Sequence, residues 1–196
     1  ARNESTTATN KTLKNDIKAV DAEDVDDDTI STYLDVFRRL FLLDNQHPFA
    51  PGARSSIRTK QAEKRHLADP SLACALLKLS PAGLIQDLET FGFLFEALCE
   101  RDLRIYANCF DGELYHYRDY RDNEIEQPDK SWCALEIKLG ANQIDKAAEN
   151  LLTINEKIKQ ADGVPASTLI VICGLANAAY QRPDGVFVVP ITALKN

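Results

Sequence analysis

A glutamate and a lysine stand two residues apart in the apolar segment from Trp132 to Gly140. Successive side chains of a β-strand point to opposite faces, so Glu136 and Lys138 share one face of the predicted strand. Burying an unpaired charge is costly, which predicts that each of them has a partner. A carboxylate that holds a divalent cation, beside an ammonium that meets a phosphate or polarises a water, suits phosphodiester hydrolysis. The alternative is an edge strand with an ordinary ion pair, and an isolated E-x-K favours that alternative.

Length and composition predict a globular protein with a well-filled core. The 196 residues are 44% apolar and 27% charged, which is enough for one large domain or two small ones. No apolar run is long enough to cross a bilayer and no signal-peptide pattern opens the sequence, so we expect no membrane partner. The net charge of −7 argues against a surface that coats nucleic acid broadly, but it permits a local basic patch.

The cysteines indicate a reducing compartment. They are Cys74, Cys99, Cys109, Cys133 and Cys173. An odd number, apolar contexts and the lack of a C-x-x-C pair are typical of reduced core thiols, not of disulfides or zinc ligands. We therefore expect a cytoplasmic protein. The sequence starts at Ala1 and contains no Met, which predicts a piece of a longer protein or a sequence with residues missing.

The chain divides near residue 68, and residues 1–67 have the element order of a winged helix-turn-helix. A short helix from Lys11 to Val20 precedes an acidic linker, which lacks the glycine and the ligand spacing of a calcium loop. We expect this linker to end in an N-cap at Asp28. Residues 30–40 then form an amphipathic helix. Its apolar stripe consists of Ile30, Tyr33, Leu34, Phe37 and Leu40.

A basic stretch follows a Pro-containing loop at the position of the wing. Its side chains are Arg54, Arg58, Lys60, Lys64 and Arg65. Basic wings lie near DNA phosphates, so these five residues are candidates for nucleic-acid binding. The alternative is a module that only packs between neighbouring domains. Because the linker is acidic, this alternative is as strong a prediction as DNA contact.

Residues 68–196 have an α/β pattern. Apolar positions from Leu84 to Ala107 recur at steps of three and four, which predicts one long core helix with Glu96 and Glu100 on its flank. A helix with Ile144, Ala147, Ala148, Leu151, Ile154 and Ile158 in register is expected after the E-x-K strand. Further strands are expected at residues 114–117, near Glu124, at 167–173 with both faces covered, and at 186–189. Alternation puts Trp132 and Ala134 on the face of Glu136, with Leu135 and Ile137 on the other.

This order of elements, with several local motifs, resembles the C-terminal region of a large group of bacterial and archaeal AAA+ ATPases. The segments that carry the resemblance are 64–72 (KRHLADPSL), 88–96 (LETFGFLFE), 101–103 (RDL), 115–118 (YHYR), 134–140 (ALEIKLG) and 148–151 (AENL). The tail of those ATPases is a domain of unknown function related to the PD-(D/E)XK nuclease fold. The resemblance therefore implies a restriction-endonuclease-like core, a central mixed sheet flanked by helices, preceded by a winged-helix segment.

The resemblance also implies a metal-dependent nuclease site. Glu96 would orient the metal from the long helix, Glu136 would bind it, and Lys138 would position water or stabilise developing charge. Mg²⁺ would be the cofactor, and we expect the carboxyl groups of Glu96 and Glu136 to converge on one pocket. Relatives place an Asp in the strand before E-x-K. Either Glu126 substitutes for it in a shortened hairpin, with Glu124 as a further candidate ligand, or residues after Ile125 are absent.

No P-loop motif occurs in the sequence, so ATP binding would belong to an N-terminal AAA+ domain, which is the expected partner. Two functions of different class remain. In the first, a nuclease-like domain with a degenerate site serves the ATPase as a DNA-related or protein-interaction module. In the second, the domain is an active Mg²⁺-dependent DNA endonuclease or exonuclease. DNA is a further candidate partner, and the sequence is compatible with an oligomer.

Overall fold

A computed structural model of the protein describes residues 1–22, 24–49, 62–117, 131–160 and 163–194, together with the backbone of 122–126. The helices are α1 (Asn10–Asp21), α2 (Asp27–Arg39), α3 (Pro70–Leu76), α4 (Pro81–Gln86), α5 (Leu88–Asn108) and α6 (Ile144–Gln160). The strands are β1 (Glu113–Tyr117), β2 (Asp122–Glu126), β3 (Trp132–Lys138), β4 (Thr168–Cys173), β5 (Tyr180–Gln181) and β6 (Phe187–Pro190). Among these described helices, none has both the length and the apolar composition that crossing a bilayer requires.

The strands form one open, mixed sheet in the order β1-β2-β3-β4-β6-β5. β1, β2 and β3 pair antiparallel, whereas β3, β4 and β6 pair parallel. The parallel step from β3 to β4 needs a long crossover, which α6 supplies. The α/β class with a central mixed sheet flanked by helices is therefore confirmed, and β3 lies at its centre.

Alternation along β3 divides the interior into two cores, as predicted. Trp132 and Ala134 pack with α6, whereas Leu135 and Ile137 pack with Phe95 and other residues of α5. The helices thus cover opposite faces of the sheet. The side chains of α6 that were predicted to lie in register are all buried, namely Ile144, Ala147, Ala148, Leu151, Ile154 and Ile158.

The predicted long helix from Leu84 to Ala107 is wrong at its N-terminal end. The chain forms two helices there, because Asp87 interrupts the first and caps the second. Its carboxylate accepts hydrogen bonds from the Thr90 backbone N–H at 3.1 Å and from the Thr90 hydroxyl at 2.7 Å. A capping aspartate satisfies backbone N–H groups that a helix start leaves open. Leu84 and Leu88 lie on either side of this break at the i to i+4 spacing of a continuous helix, so the apolar pattern does not indicate the break.

The N-terminal part contains both predicted helices, but the apolar stripe of α2 faces solvent. Within that stripe Ile30 is buried, whereas Tyr33 and Leu40 are each 60% exposed. Asp26, not Asp28, is the N-cap, since its carboxylate accepts from the Thr29 N–H at 2.6 Å. The helix therefore begins two residues earlier than predicted. Its exposed stripe forms an apolar surface outside the core.

Isolated β-bridges occur within this N-terminal part and between it and the sheet. Gln46 pairs antiparallel with Lys64, and Pro48 pairs parallel with His116 of β1. Residues 50–61, including Arg54, Arg58 and Lys60, lie outside the described residues. The winged-helix segment and a boundary near residue 68 remain predictions.

Candidate functional site

β3 holds Glu136 in the interior and Lys138 at the end of the strand. Glu136 is fully buried, and the Lys138 ammonium donates to its Oε1 atom at 2.7 Å. The Asn150 side-chain amide of α6 donates to the same oxygen at 3.3 Å. Among the described residues, Oε2 of Glu136 is buried without a hydrogen-bond partner. Lys138 therefore neutralises part of the charge of Glu136 from within the same strand.

A cavity of about 470 Å³ lies between α5 and the carboxyl end of β3. Lys138 and Gly140 contribute to its wall on the strand side, and Gly92, Phe93 and Glu96 contribute from α5. The Lys138 side chain is 22% exposed, in contrast to the fully buried Glu136. Glu96 and Lys138, two of the three predicted catalytic residues, thus border one cavity.

Glu96 is held by a lysine from the N-terminal part. The Lys64 ammonium hydrogen-bonds to the carboxylate of Glu96 and, at 2.6 Å, to that of Glu100. All three side chains are buried. Lys64 is thus the cation that the two α5 acids share.

Glu96 and Glu136 have different bonding partners in the structure, Lys64 for Glu96 and Lys138 with Asn150 for Glu136. α5 packs on the face of the sheet that carries Leu135 and Ile137, whereas Glu136 faces α6 and Asn150. The expected convergence of the two carboxyl groups on one pocket remains a prediction. The catalytic roles assigned to Glu96, Glu136 and Lys138 remain predictions.

The backbone register of β2 concerns the candidate metal ligands Glu124 and Glu126. Asp122 is the residue paired with Glu136, and Glu124 and Glu126 lie two and four positions further along the strand. Neither glutamate is opposite the E-x-K acid. The pairing of Asp122 with Glu136 was not predicted from the sequence. The register of two antiparallel strands depends on the turn between them, and the sequence did not show where that turn begins.

Five buried charged groups form a network between the N-terminal part and α5. They are Glu4, Lys64, His66, Glu96 and Glu100. His66 connects two of the carboxylates, with Nε2 at 2.7 Å from Glu100 and Nδ1 at 3.0 Å from Glu4. Glu96 and Glu100 carry the i to i+4 spacing that the sequence showed. Their partners Lys64 and His66 lie more than 30 residues away and carried no local signal of this pairing.

The network shifts the ionisation of its members. Burial alone would lower the pKa of Lys64, but Glu100 and Glu96 raise it above its usual value. Burial likewise opposes the charge on His66, yet Glu100 and Glu4 raise the pKa of His66 to about 9. Burial would raise the pKa of Glu100, but Lys64 and His66 hold it well below its usual range. Burial dominates at Glu96 and raises its pKa, although Lys64 opposes this shift.

The two described residues of the predicted basic wing bind the protein itself. Lys64 is buried in the network and does not reach the surface in this structure. The Arg65 guanidinium donates to the Ala8 carbonyl at 2.5 Å and to the Asn10 side chain at 3.0 Å. Arg65 thus holds the N-terminal segment, whereas Lys64 joins the N-terminal part to α5.

Mg²⁺, the expected cofactor, remains a prediction, since the side chains of Asp122, Glu124 and Glu126 lie outside the described residues. In the part of the chain that the structure describes, no three His, Cys, Asp or Glu side chains form a group that could hold a metal. Glu96 and Glu136 lie on different faces of the sheet, and each is bonded to an ammonium group. Divalent hard cations require several oxygen ligands around one point.

Comparison with protein-family models places two families on the chain. Residues 1–83 match a Domain of unknown function (DUF8612), and residues 91–194, more than half of the chain, match a Domain of unknown function (DUF4143). Searches of curated proteins and of solved structures found no match. DUF4143 is found in the C-terminal regions of AAA-ATPase-like proteins, which confirms this part of the resemblance. The chain belongs to the family of the Domain of unknown function (DUF4143).

Proposed function

We propose that this chain is a nuclease-like but catalytically silent interaction module of an AAA+ ATPase. The ATPase would precede it in the full-length protein and would carry the ATP site. The module would act in the cytoplasm, in keeping with five cysteines that are all free thiols. Its contact with DNA, if any, would serve binding and not cleavage.

The pairing of both acids with ammonium groups carries this proposal. A nuclease of this kind needs its carboxylates around one metal ion. Here Lys138 binds Glu136 on the α6 side of the sheet, and Lys64 binds Glu96 on the α5 side. No three described His, Cys, Asp or Glu side chains form a group around either carboxylate that could hold a cation. The arrangement supports a role in stabilising the fold and not in metal-centred chemistry.

An exposed apolar surface at the C-terminal end of α2 supports the interaction role. It consists of Tyr33, Val36, Phe37, Leu40, Phe41 and Leu42, each more than a third exposed. Contiguous apolar surface of this kind marks contact sites more often than single exposed leucines do. Since the family occurs beside AAA-ATPase-like domains, we assign this surface to the ATPase part of the same polypeptide.

A metal-dependent cleavage assay tests the silent state. The parent chain, Glu136→Ala and Lys138→Ala are incubated with linear, supercoiled and single-stranded DNA in Mg²⁺ or Mn²⁺. We expect no cleavage above the level of the two variants. Cleavage by the parent that is lost in both variants would overturn the proposal.

A binding assay tests the interaction role. The ATPase part of the full-length protein is titrated with this chain and with the double variant Tyr33→Ser, Phe37→Ser. We expect saturable binding by the parent and a loss of at least about tenfold in the variant, since aromatic side chains dominate contact energies. Ile105→Ser on α5, which removes a 53% exposed side chain elsewhere, is the matched control. Equal binding by all three chains would refute this surface.

An active nuclease is the second candidate, and one observation favours it. Glu96 and Lys138 border the same cavity, as a site using Glu96, Glu136 and Lys138 would require. The cleavage assay separates the two proposals, because the nuclease depends on Glu136 and Lys138 whereas the interaction module does not.

A further inference from the structure

The cavity between α5 and β3 has the size of a small-ligand pocket. Its volume of about 470 Å³ lies in the range that such pockets occupy. It is bordered by charged, polar and apolar side chains, which gives it the means to orient a ligand. Gly92 lies in its wall, and a Cβ atom added there would meet no other atom within 4 Å. The α5 wall is therefore open at this position.

The charges around the cavity are unequal. α5 contributes two acids, Glu89 and Glu96, and the facing cation is Lys138. Lys138 is already bonded to Glu136, so its charge is balanced within β3. Glu96 is bonded to Lys64, so Glu89 is the acid of the described cavity wall without an ion pair.

The buried network behind Glu96 adds to this imbalance. Its three carboxylates, on Glu4, Glu96 and Glu100, face two cations, Lys64 and the protonated His66. Among the described side chains, the carboxylates of this network outnumber its cations by one. The raised pKa of Glu96, which burial causes, agrees with a carboxylate that lacks a full countercharge. Glu96 is the network member that borders the cavity.

Apolar side chains stand around the same opening. Leu88 and Leu175 line the cavity and are 62% and 65% exposed, and Phe93 lines it from α5. Aliphatic stems of cationic groups lie along such surfaces while their charged heads reach a polar site. The lining therefore matches a ligand that combines a cation with an alkyl stem.

We propose that this cavity binds an alkyl ammonium or alkyl guanidinium group, with its head between Glu89 and Glu96 and its stem against Leu88 and Leu175. Two sources share this chemistry, a free amine and the lysine or arginine side chain of a protein partner. The inference does not depend on the function proposed above, since it concerns a cavity and not the apolar surface of α2.

Isothermal titration of the full chain tests this site. The probes are n-butylguanidinium and n-butylammonium, with n-butanol as the neutral control and butyrate as the anion. We expect saturable binding of both cations and none of the control compounds. Glu89→Gln should weaken binding at least about tenfold, as loss of a charge-assisted hydrogen bond does. Glu156→Gln, an exposed acid of α6, is the matched control and should bind as the parent does.

The variant Gly92→Leu tests the same cavity without changing any charge near the network. Its side chain would project into the open space beside Gly92, so we expect it to abolish cation binding while the chain stays folded by circular dichroism. Equal binding of butanol and the cations, unchanged binding in Glu89→Gln, or unchanged binding in Gly92→Leu would overturn the proposal.

A peptide arm identifies the source of the cation. A Gly/Ser peptide with one arginine is compared with the same peptide carrying citrulline. Binding of the arginine peptide more tightly than n-butylguanidinium supports a protein partner, and weaker but charge-dependent binding supports a free amine. Equal binding of the arginine and citrulline peptides would contradict recognition of a cation.

Discussion

At the level of single residues, Lys64 places one positive charge between two buried carboxylates, Glu96 and Glu100. Its ammonium is at 2.6 Å from Glu100, and both acids come from successive turns of α5. Removing one partner from such a group leaves charge buried without compensation, which destabilises more than the loss of a surface pair. Lys64 is therefore expected to be among the residues on which stability depends most.

We predict that Lys64→Met lowers the free energy of unfolding by about 3–5 kcal/mol, because Glu96 loses its cation and Glu100 keeps only His66. Urea unfolding measures this change. Lys146→Met is the control, since its pair with Glu149 is largely exposed and should contribute less than about 1 kcal/mol. The triple variant Lys64→Met, Glu96→Gln, Glu100→Gln should recover part of the loss. A change below 1 kcal/mol in Lys64→Met would show that the network is not compensated in this way.

His66 makes stability depend on pH above neutrality. Its pKa is about 9 in the folded chain and near ~6.5 unfolded, so its stabilising charge is fully present below about pH 6.5. The contribution is lost as the pH rises through about 9, and it amounts to on the order of 3 kcal/mol. We predict that the free energy of unfolding falls across this window and that His66→Gln removes this slope. Unfolding curves at pH 6 to 10 measure it, with exposed His47→Gln as the control. If the free energy of unfolding of the parent did not fall between pH 6.5 and about 9, the prediction would be refuted.

At the level of elements, the sequence predicted the centre of the sheet well. β3, α6 and β4 each have a local apolar periodicity that matches their packing, so the kind of element and its buried face could be predicted. The ion network could not be predicted in this way. Lys64 has the same residue type as its neighbours in the basic stretch, and its partners on α5 lie 32 and 36 residues away. Pairing over such distances depends on tertiary packing, which local patterns do not contain.

The same limit applies to α2 and to the break before α5. The stripe of α2 has the spacing of a buried face, yet Tyr33 and Leu40 face solvent. Periodicity identifies an apolar face but does not say what covers it. At α5, the capping hydrogen bonds of Asp87 end one helix and begin another within an unbroken apolar pattern.

Two glycines test the packing of α5 against the sheet. Gly92 is in the helix, and a Cβ atom there would meet nothing within 4 Å, whereas a Cβ on Gly174 would lie 2.9 Å from the Phe95 ring. We predict that Gly92→Ala stabilises the chain by about 0.5–1 kcal/mol through lower chain entropy. Gly174→Ala should destabilise it by about 1–3 kcal/mol through overpacking. Thermal unfolding of the two variants measures both, and effects of equal sign would contradict this packing.

At the level of the whole molecule, a mixed sheet carries helices on both faces, and a buried ion network joins residues 1–67 to α5. The two carboxylates of the predicted nuclease site serve this architecture from opposite sides. Glu96 belongs to the network, and Glu136 belongs to the core under α6. In this fold each of the two acids is thus bonded to a lysine, Glu96 to Lys64 and Glu136 to Lys138.

Thermal unfolding with and without divalent cations tests this account most directly. Any ligand that binds the folded chain alone raises its stability, by about 2.7 kcal/mol when present at 100 times its Kd. Because Lys64 and Lys138 occupy the two carboxylates, we predict that Mg²⁺ or Mn²⁺ leaves the Tm of the parent unchanged relative to Glu136→Gln. A rise in Tm with Mn²⁺ that disappears in Glu136→Gln would contradict the account and would favour the nuclease.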